Sequence, residues 1–130
     1  VTRSGLLWTQ RRSVPQLPAP VLYRGVLYMI NDGGILTTLE AKTGAVLKQG
    51  RLRDAVDSYY ASPVAGDGKA YFVSRSGIAS VLKAGGEQEP LSVADLADEV
   101  AATPALADGR LYLRTRSALY CFGVPGAGAK

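Results

Sequence analysis

The sequence predicts an all-β fold, a β-propeller fragment of about three four-stranded antiparallel blades whose last blade is completed by an N-terminal strand. Two observations carry this expectation. Proline, glycine and tyrosine recur three times in one order and spacing, as Pro20, Gly25, Tyr28, as Pro63, Gly68, Tyr71 and as Pro104, Gly109, Tyr112. Successive prolines lie 43 and 41 residues apart, close to the length of a propeller blade. Within each copy the apolar runs are short and bounded by turn residues, which reads as strands rather than helices. A unit of this size does not bury its apolar face alone, so copies stack, and the repeat sets the architecture.

The elements follow in order. Residues 20–30, 63–73 and 104–114 align without a gap, each as a strand, a tight turn and a second strand. Asp67-Gly68 and Asp108-Gly109 are hairpin turns, because the turn demands positive φ, which glycine adopts freely and aspartate tolerates. Gly25 holds the same slot with Arg24 before it. A second turn follows each time, at Asn31-Asp32-Gly33-Gly34, at Arg75-Ser76-Gly77 and, one residue shorter, at Arg116-Ser117. The third strands then place Leu39, Leu82 and Phe122 in one column and Thr38, Val81 and Cys121 in its neighbour, both expected to be core. Glu40 to Gly44 turns the first copy into a fourth strand at Ala45–Lys48. The second copy carries a longer insertion, Ala84 to Pro90, before Leu91–Ala94. The third copy has no such strand of its own, while Gly5 to Gln10 resembles a fourth strand with its preceding glycine. The segments are thus an outer strand at 5–10, blades at 18–50 and 61–96, three strands at 102–123 and a flexible tail at 124–130.

Val26 to Leu47, with its Ala41-Lys42-Thr43-Gly44 turn, resembles the repeat of pyrroloquinoline-quinone-type β-propellers, marked by Leu-x-x-Leu-Asp-Ala-x-Thr-Gly before a strand ending in tryptophan. The resemblance covers almost the whole chain, and Tyr59 to Phe122 resembles the C-terminal end of bacterial propellers of that family. Lys48 stands where the docking tryptophan is expected, the second repeat lacks Thr-Gly, and Trp8 is the one residue able to fill that slot, one position early. The family contains quinoprotein dehydrogenases and non-enzymatic proteins such as outer-membrane assembly lipoproteins, so the resemblance implies a bacterial periplasm or envelope and leaves activity open. A dehydrogenase site of this family needs adjacent cysteines, carboxylate and amide ligands for calcium, and a tryptophan under the quinone. Here a single cysteine, Cys121, lies within a strand and reads as a small core residue.

The residues point to no catalytic constellation. The chain has no histidine, which removes the commonest general base and transition-metal ligand. The acidic clusters, Asp54 with Asp57, Glu87 with Glu89, and Asp95 with Asp98 and Glu99, fall in connecting segments and read as solvated loops. Asn31 to Gly34 lacks the alternating ligands and closing glutamate of a calcium loop. No catalytic, metal or cofactor-binding residue is therefore expected, and no cofactor.

Composition fits a turn-rich globular chain, with 47% hydrophobic and 20% charged residues, 15 glycines and 7 prolines. No apolar run approaches the roughly 18 residues that a membrane span needs. The net charge of +4 is scattered, with one arginine doublet at Arg11-Arg12, so nucleic acid is not an expected partner. In a propeller, the turns between second and third strands share one face with the connections between blades. That face gathers the candidate partner-binding residues Asn31, Asp32, Arg75, Arg114, Arg116, Asp57, Tyr59 and Tyr60.

Propellers close with about four to eight blades, so three leave open ends. The expectation is a part of a longer closed propeller, or self-association of the chain. The reading these residues favour is a non-catalytic module that binds a protein or peptide. The alternative is a fragment of a quinoprotein dehydrogenase whose cofactor site lies in other blades.

Overall fold

The computed structural model describes residues 5–12, 14–15, 17–52 and 57–123. The tail expected at 124–130 lies outside these residues. The described residues form eleven strands in three antiparallel sheets. The first blade is β1 (Val21–Tyr23), β2 (Val26–Asn31), β3 (Ile35–Glu40) and β4 (Val46–Arg51). The second is β5 (Val64–Gly66), β6 (Lys69–Val73), β7 (Ile78–Lys83) and β8 (Pro90–Asp95), and the third is β9 (Ala105–Ala107), β10 (Arg110–Arg114) and β11 (Leu119–Gly123). Strands pair in sequence order in every sheet, from a three-residue inner strand outward, and β1 packs beside β5 and β5 beside β9.

Local chemistry accounts for the elements. Pro20, Pro63 and Pro104 each immediately precede an inner strand, where a missing N–H costs no ladder bond. The first hairpin of each blade has both central residues at positive φ, with Arg24, Asp67 and Asp108 at 52 to 53° and Gly25, Gly68 and Gly109 at 73 to 79°. That pair is the type I′ turn, whose twist matches the flanking strands. The register places Tyr28, Tyr71 and Tyr112 opposite Val21, Val64 and Ala105. The β3–β4 and β7–β8 ladders each shift by one residue at the equivalent positions Thr38/Leu39 and Val81/Leu82, so the repeat extends to its irregularities.

The core lies between blades. Tyr28, Ile30 and Leu36 of the first blade meet Ala70, Phe72 and Leu82 of the second, with the Tyr28 and Phe72 rings 6.1 Å apart. Val73 of the second meets Leu113 of the third, with Val100 of the connecting segment between them. A polar ladder joins the starts of the inner strands: Ala19 N–H donates to Ser62 Oγ at 2.8 Å and Ser62 N–H donates to Thr103 Oγ1 at 3.0 Å.

Two expectations change. Residues 5–10 form no strand, and the third sheet has three strands among the described residues rather than a fourth supplied by Leu6–Thr9. Trp8 instead docks on the first blade, where its indole N–H donates to Ala41 O at 2.8 Å and its ring covers Gly44. A Cβ on Gly44 would lie 2.5 Å from the indole, so the absent side chain makes the seat. Trp8 thereby fills the docking slot of the Ala41–Gly44 turn. Cys121 is exposed rather than core, and Phe122 is 38% exposed. The column of Thr38 and Val81 faces the following blade, and Cys121 has no described blade in front of it.

Candidate functional site

The three turns between second and third strands converge with the connecting segments on one face. Two carboxylates organise it. Asp57 accepts Ser58 N–H at 2.7 Å and Ser76 N–H at 2.8 Å, and its carbonyl takes Gly33 N–H at 2.6 Å, so it ties the turn of the first blade to that of the second. Forty-one positions on, Asp98 accepts Glu99 N–H at 2.9 Å and Ser117 N–H at 3.0 Å, with a further short bond from the Ser117 hydroxyl. Burial pushes the Asp57 carboxyl up, but the bonds from Ser76 and Ser58 outweigh it and leave the group below the usual carboxylate range. The Ser117 hydroxyl bond, helped by Thr115 and the Ser117 and Glu99 amides, holds Asp98 at about 2. Both are clamps rather than the solvated loop residues expected, and both are poor proton acceptors at neutral pH.

Around these clamps stand the charged side chains. Glu99 sits between two arginines, with Arg75 Nη2 at 3.8 Å and Arg116 Nη1 at 3.6 Å. All three are exposed, and such pairs contribute about 0–1 kcal/mol each, so they leave the arginines free to exchange partners. The Arg75 guanidinium also lies 5.0 Å from the centre of the exposed Tyr60 ring. Arg114 joins Arg116, Glu99, Thr115 and Ala101 around a depression of about 410 Å³.

The predicted site residues divide accordingly. Arg75 and Arg116 come together through Glu99, Tyr60 lies against Arg75, Arg114 shares the depression, and Asp57 is a turn clamp. Asp32 is likewise engaged, accepting Tyr59 N–H at 3.0 Å. Asn31 donates to Val14 O at 3.4 Å, and its buried Oδ1 has no partner among the described residues. Tyr59 leaves the face altogether: it is 1% exposed within the core of the first two blades, and burial together with nearby Asp57 raises its hydroxyl above the usual tyrosine range. Glu99 and Asp98 were read in the sequence as solvated loop residues and not as part of the site. Asp98 had a signal, since Asp57 to Ser76 and Asp98 to Ser117 share a spacing of 19, whereas Glu99 had none.

The residues do not fit the quinone site of the dehydrogenases that this fold resembles. Trp8 is committed to the Ala41–Gly44 turn, at the opposite end of the first blade from Asn31–Gly34, and Cys121 lies on a blade face. Among the described residues, no group of three or more histidine, cysteine, aspartate or glutamate side chains is placed to hold a metal ion, and no helix is long and apolar enough to cross a membrane.

Residues 3–124 match the model of the family described as outer membrane protein assembly factor BamB. The chain belongs to that family. Among solved structures, BamB from Moraxella catarrhalis superposes with a TM-score of 0.75 at 19% identity, covering 93% of this chain and 37% of that one. The quinohemoprotein alcohol dehydrogenase ADHIIG from Pseudomonas putida HK5 gives 0.65 at 14% identity, covering 82% and 19%. The quinohemoprotein alcohol dehydrogenase from Comamonas testosteroni gives 0.59 at 14%, covering 78% and 17%. The chain therefore spans about a third of the length of the BamB structure and less of the dehydrogenases. No curated protein sequence matches it. At these identities the likeness is one of fold, shared by the BamB protein and the dehydrogenases alike.

Proposed function

We propose that this chain is a non-catalytic segment of a larger closed propeller and that its turn face binds a protein or peptide. The observation that carries the reading is the exposed group of Arg75, Glu99 and Arg116 with Tyr60 beside it, held on a face that Asp57 and Asp98 stiffen. Arginine and tyrosine are the residues that dominate protein interfaces, because each offers a large contact area with a polar end. A carboxylate on a partner can replace Glu99 between the two arginines at little cost, since an exposed pair is weak. The family description supports a protein partner and a bacterial envelope setting. Apolar side chains open at both ends of the arc, Leu22 on the first blade and Leu119 on the third, support completion by further blades.

The test is site-specific photocrosslinking in the full-length protein in cells. A photoreactive residue replacing Tyr60 is expected to trap a partner, and the Arg75→Glu, Arg116→Glu double variant is expected to abolish the adduct. The same probe at Asp67, on the opposite face, is expected to trap none. Equal yields from both faces, or adducts indifferent to the two arginines, would sink the proposal.

A further inference from the structure

Aspartate is followed by glycine three times in the chain, at Asp32-Gly33, Asp67-Gly68 and Asp108-Gly109. In such a pair the glycine nitrogen, with no Cβ beside it, reaches the carboxyl carbon of the preceding side chain more easily than any other residue's would. Reaction there swings the nitrogen onto Cγ, so it first breaks whatever bond the N–H makes.

The fold holds the three amides differently. Gly33 N–H donates to Asp57 O at 2.6 Å, and the Asp32 carboxylate accepts Tyr59 N–H at 3.0 Å, so both reacting groups are engaged. Gly68 N–H donates to the Tyr23 hydroxyl at 2.8 Å, a bond that reaches across from the first blade to the second. Gly109 N–H makes no hydrogen bond among the described residues.

The turns of the second and third blades are otherwise alike. Asp67 and Asp108 lie at φ of 52° and 53°, their glycines follow at 75° and 73°, and both aspartates are exposed. The neighbour makes the difference. Gly66 holds the position of Tyr23 one repeat on, each being the last residue of its inner strand, and it has no side chain to reach the next turn. Leu106 of the third blade lies over Gly66, in the space a Cβ there would take.

We propose that Asp108 is a modification site, where aspartate isomerises to isoaspartate through a succinimide, and that the Tyr23 hydroxyl suppresses the same reaction at Asp67. In the first step the Gly109 nitrogen bonds to Asp108 Cγ, and its proton leaves with the carboxyl hydroxyl as water. Water then opens the ring. Addition at Cγ restores aspartate, whereas addition at the backbone carbonyl carbon leaves the main chain running through the former side chain. No oxidant or reductant is involved, and the product has the mass of the parent. It carries one extra main-chain carbon in a two-residue turn, which no longer matches the paired φ values of type I′. The change loosens the β9–β10 hairpin, on the face away from Arg75, Glu99 and Arg116.

Ageing the full chain at mildly acidic pH tests the proposal. After digestion, chromatography with electron-transfer fragmentation separates the equal-mass isomers and reads isoaspartate at all three positions in one sample. Breaking one hydrogen bond of ordinary strength slows the attack about fivefold, so Asp108 is expected to convert about fivefold faster than Asp67, with Asp32 the slowest. Tyr23→Phe removes only the acceptor oxygen and is expected to bring Asp67 up to the rate of Asp108, while Asp108 and Asp32 keep their parent rates. Equal conversion of Asp67 and Asp108 in the parent would overturn the proposal, as would an Asp67 rate that Tyr23→Phe leaves unchanged. A rise at Asp32 as well would mark a loosened fold in the variant, and the parent ratio of Asp108 to Asp67 then decides alone.

Discussion

Replacing Gln88 with alanine removes the polar centre of the first junction and leaves its backbone unchanged in kind. Gln88 already sits at a φ of 58°, so either residue bears the same left-handed strain and the comparison isolates the side chain. Its amide has two protons, shared among Leu36 O at 3.1 Å, Thr38 Oγ1 at 3.3 Å and Lys48 O at 3.0 Å. Two hydrogen bonds at about 0.5–1.5 kcal/mol each, plus about 0.8 kcal/mol for one buried methylene, give about 2–4 kcal/mol. With unfolding entropy near 2.1 cal/mol/K per residue, a chain of this length is expected to lose about 7–15 °C in Tm. Thermal unfolding followed by circular dichroism checks it. Lys48→Met serves as the control, because its exposed ammonium makes one bond to Glu87 O, worth about 0.5 kcal/mol at the surface, and about 2 °C is expected. A Gln88→Ala protein melting within 2 °C of the parent would refute the reasoning that this loop holds the two blades together.

Two further outcomes follow from the same geometry. Gly44→Ala is expected to expel Trp8, the only tryptophan in the chain, and shift its fluorescence to the red, because the new Cβ meets the indole at 2.5 Å. Gly25→Ala, at a similar φ but with nothing within 4 Å, costs about 1–2 kcal/mol of backbone strain and leaves the emission unchanged; a red shift in both, or in neither, would contradict the docking. Acid should weaken the turn face through Asp98, whose carboxyl sits at about 2 in the folded chain against 3.8 for an ordinary aspartate. Its contribution is complete above about pH 4 and disappears as pH falls towards 2, so Asp98→Asn should flatten the loss of Tm over that window; parallel melting curves for variant and parent would refute it.

Much of the fold was legible because its signals are local. Aspartate-glycine at a hairpin, proline ahead of an inner strand and a recurring tyrosine each act within a few residues, and the three copies reinforce one another. What was not legible depends on what stands opposite. Tyr59 and Tyr60 are adjacent and alike in sequence, yet one enters the core and the other stands on the face. Cys121 and Val81 share a column, but among the described residues only Val81 has a following blade to face. The six residues from Gly5 look like a strand by composition, and a strand needs a partner; the indole of Trp8 found the Ala41–Gly44 turn instead. At the site, the arginines were found through their turns, whereas Glu99, which joins them, carries no pattern. The clamp formed by Asp57 and Asp98 was readable in their common spacing to serine.

The three blades are proposed to form an open arc whose end faces, marked by the exposed Leu22 and Leu119, take neighbours. Sedimentation equilibrium on the isolated chain tests it most directly. Association to a mass that is a multiple of 13.7 kDa, abolished by a charged substitution such as Leu119→Asp on the exposed face of the third blade, is the predicted result. A cooperative, well-folded monomer of 13.7 kDa at all concentrations would contradict it.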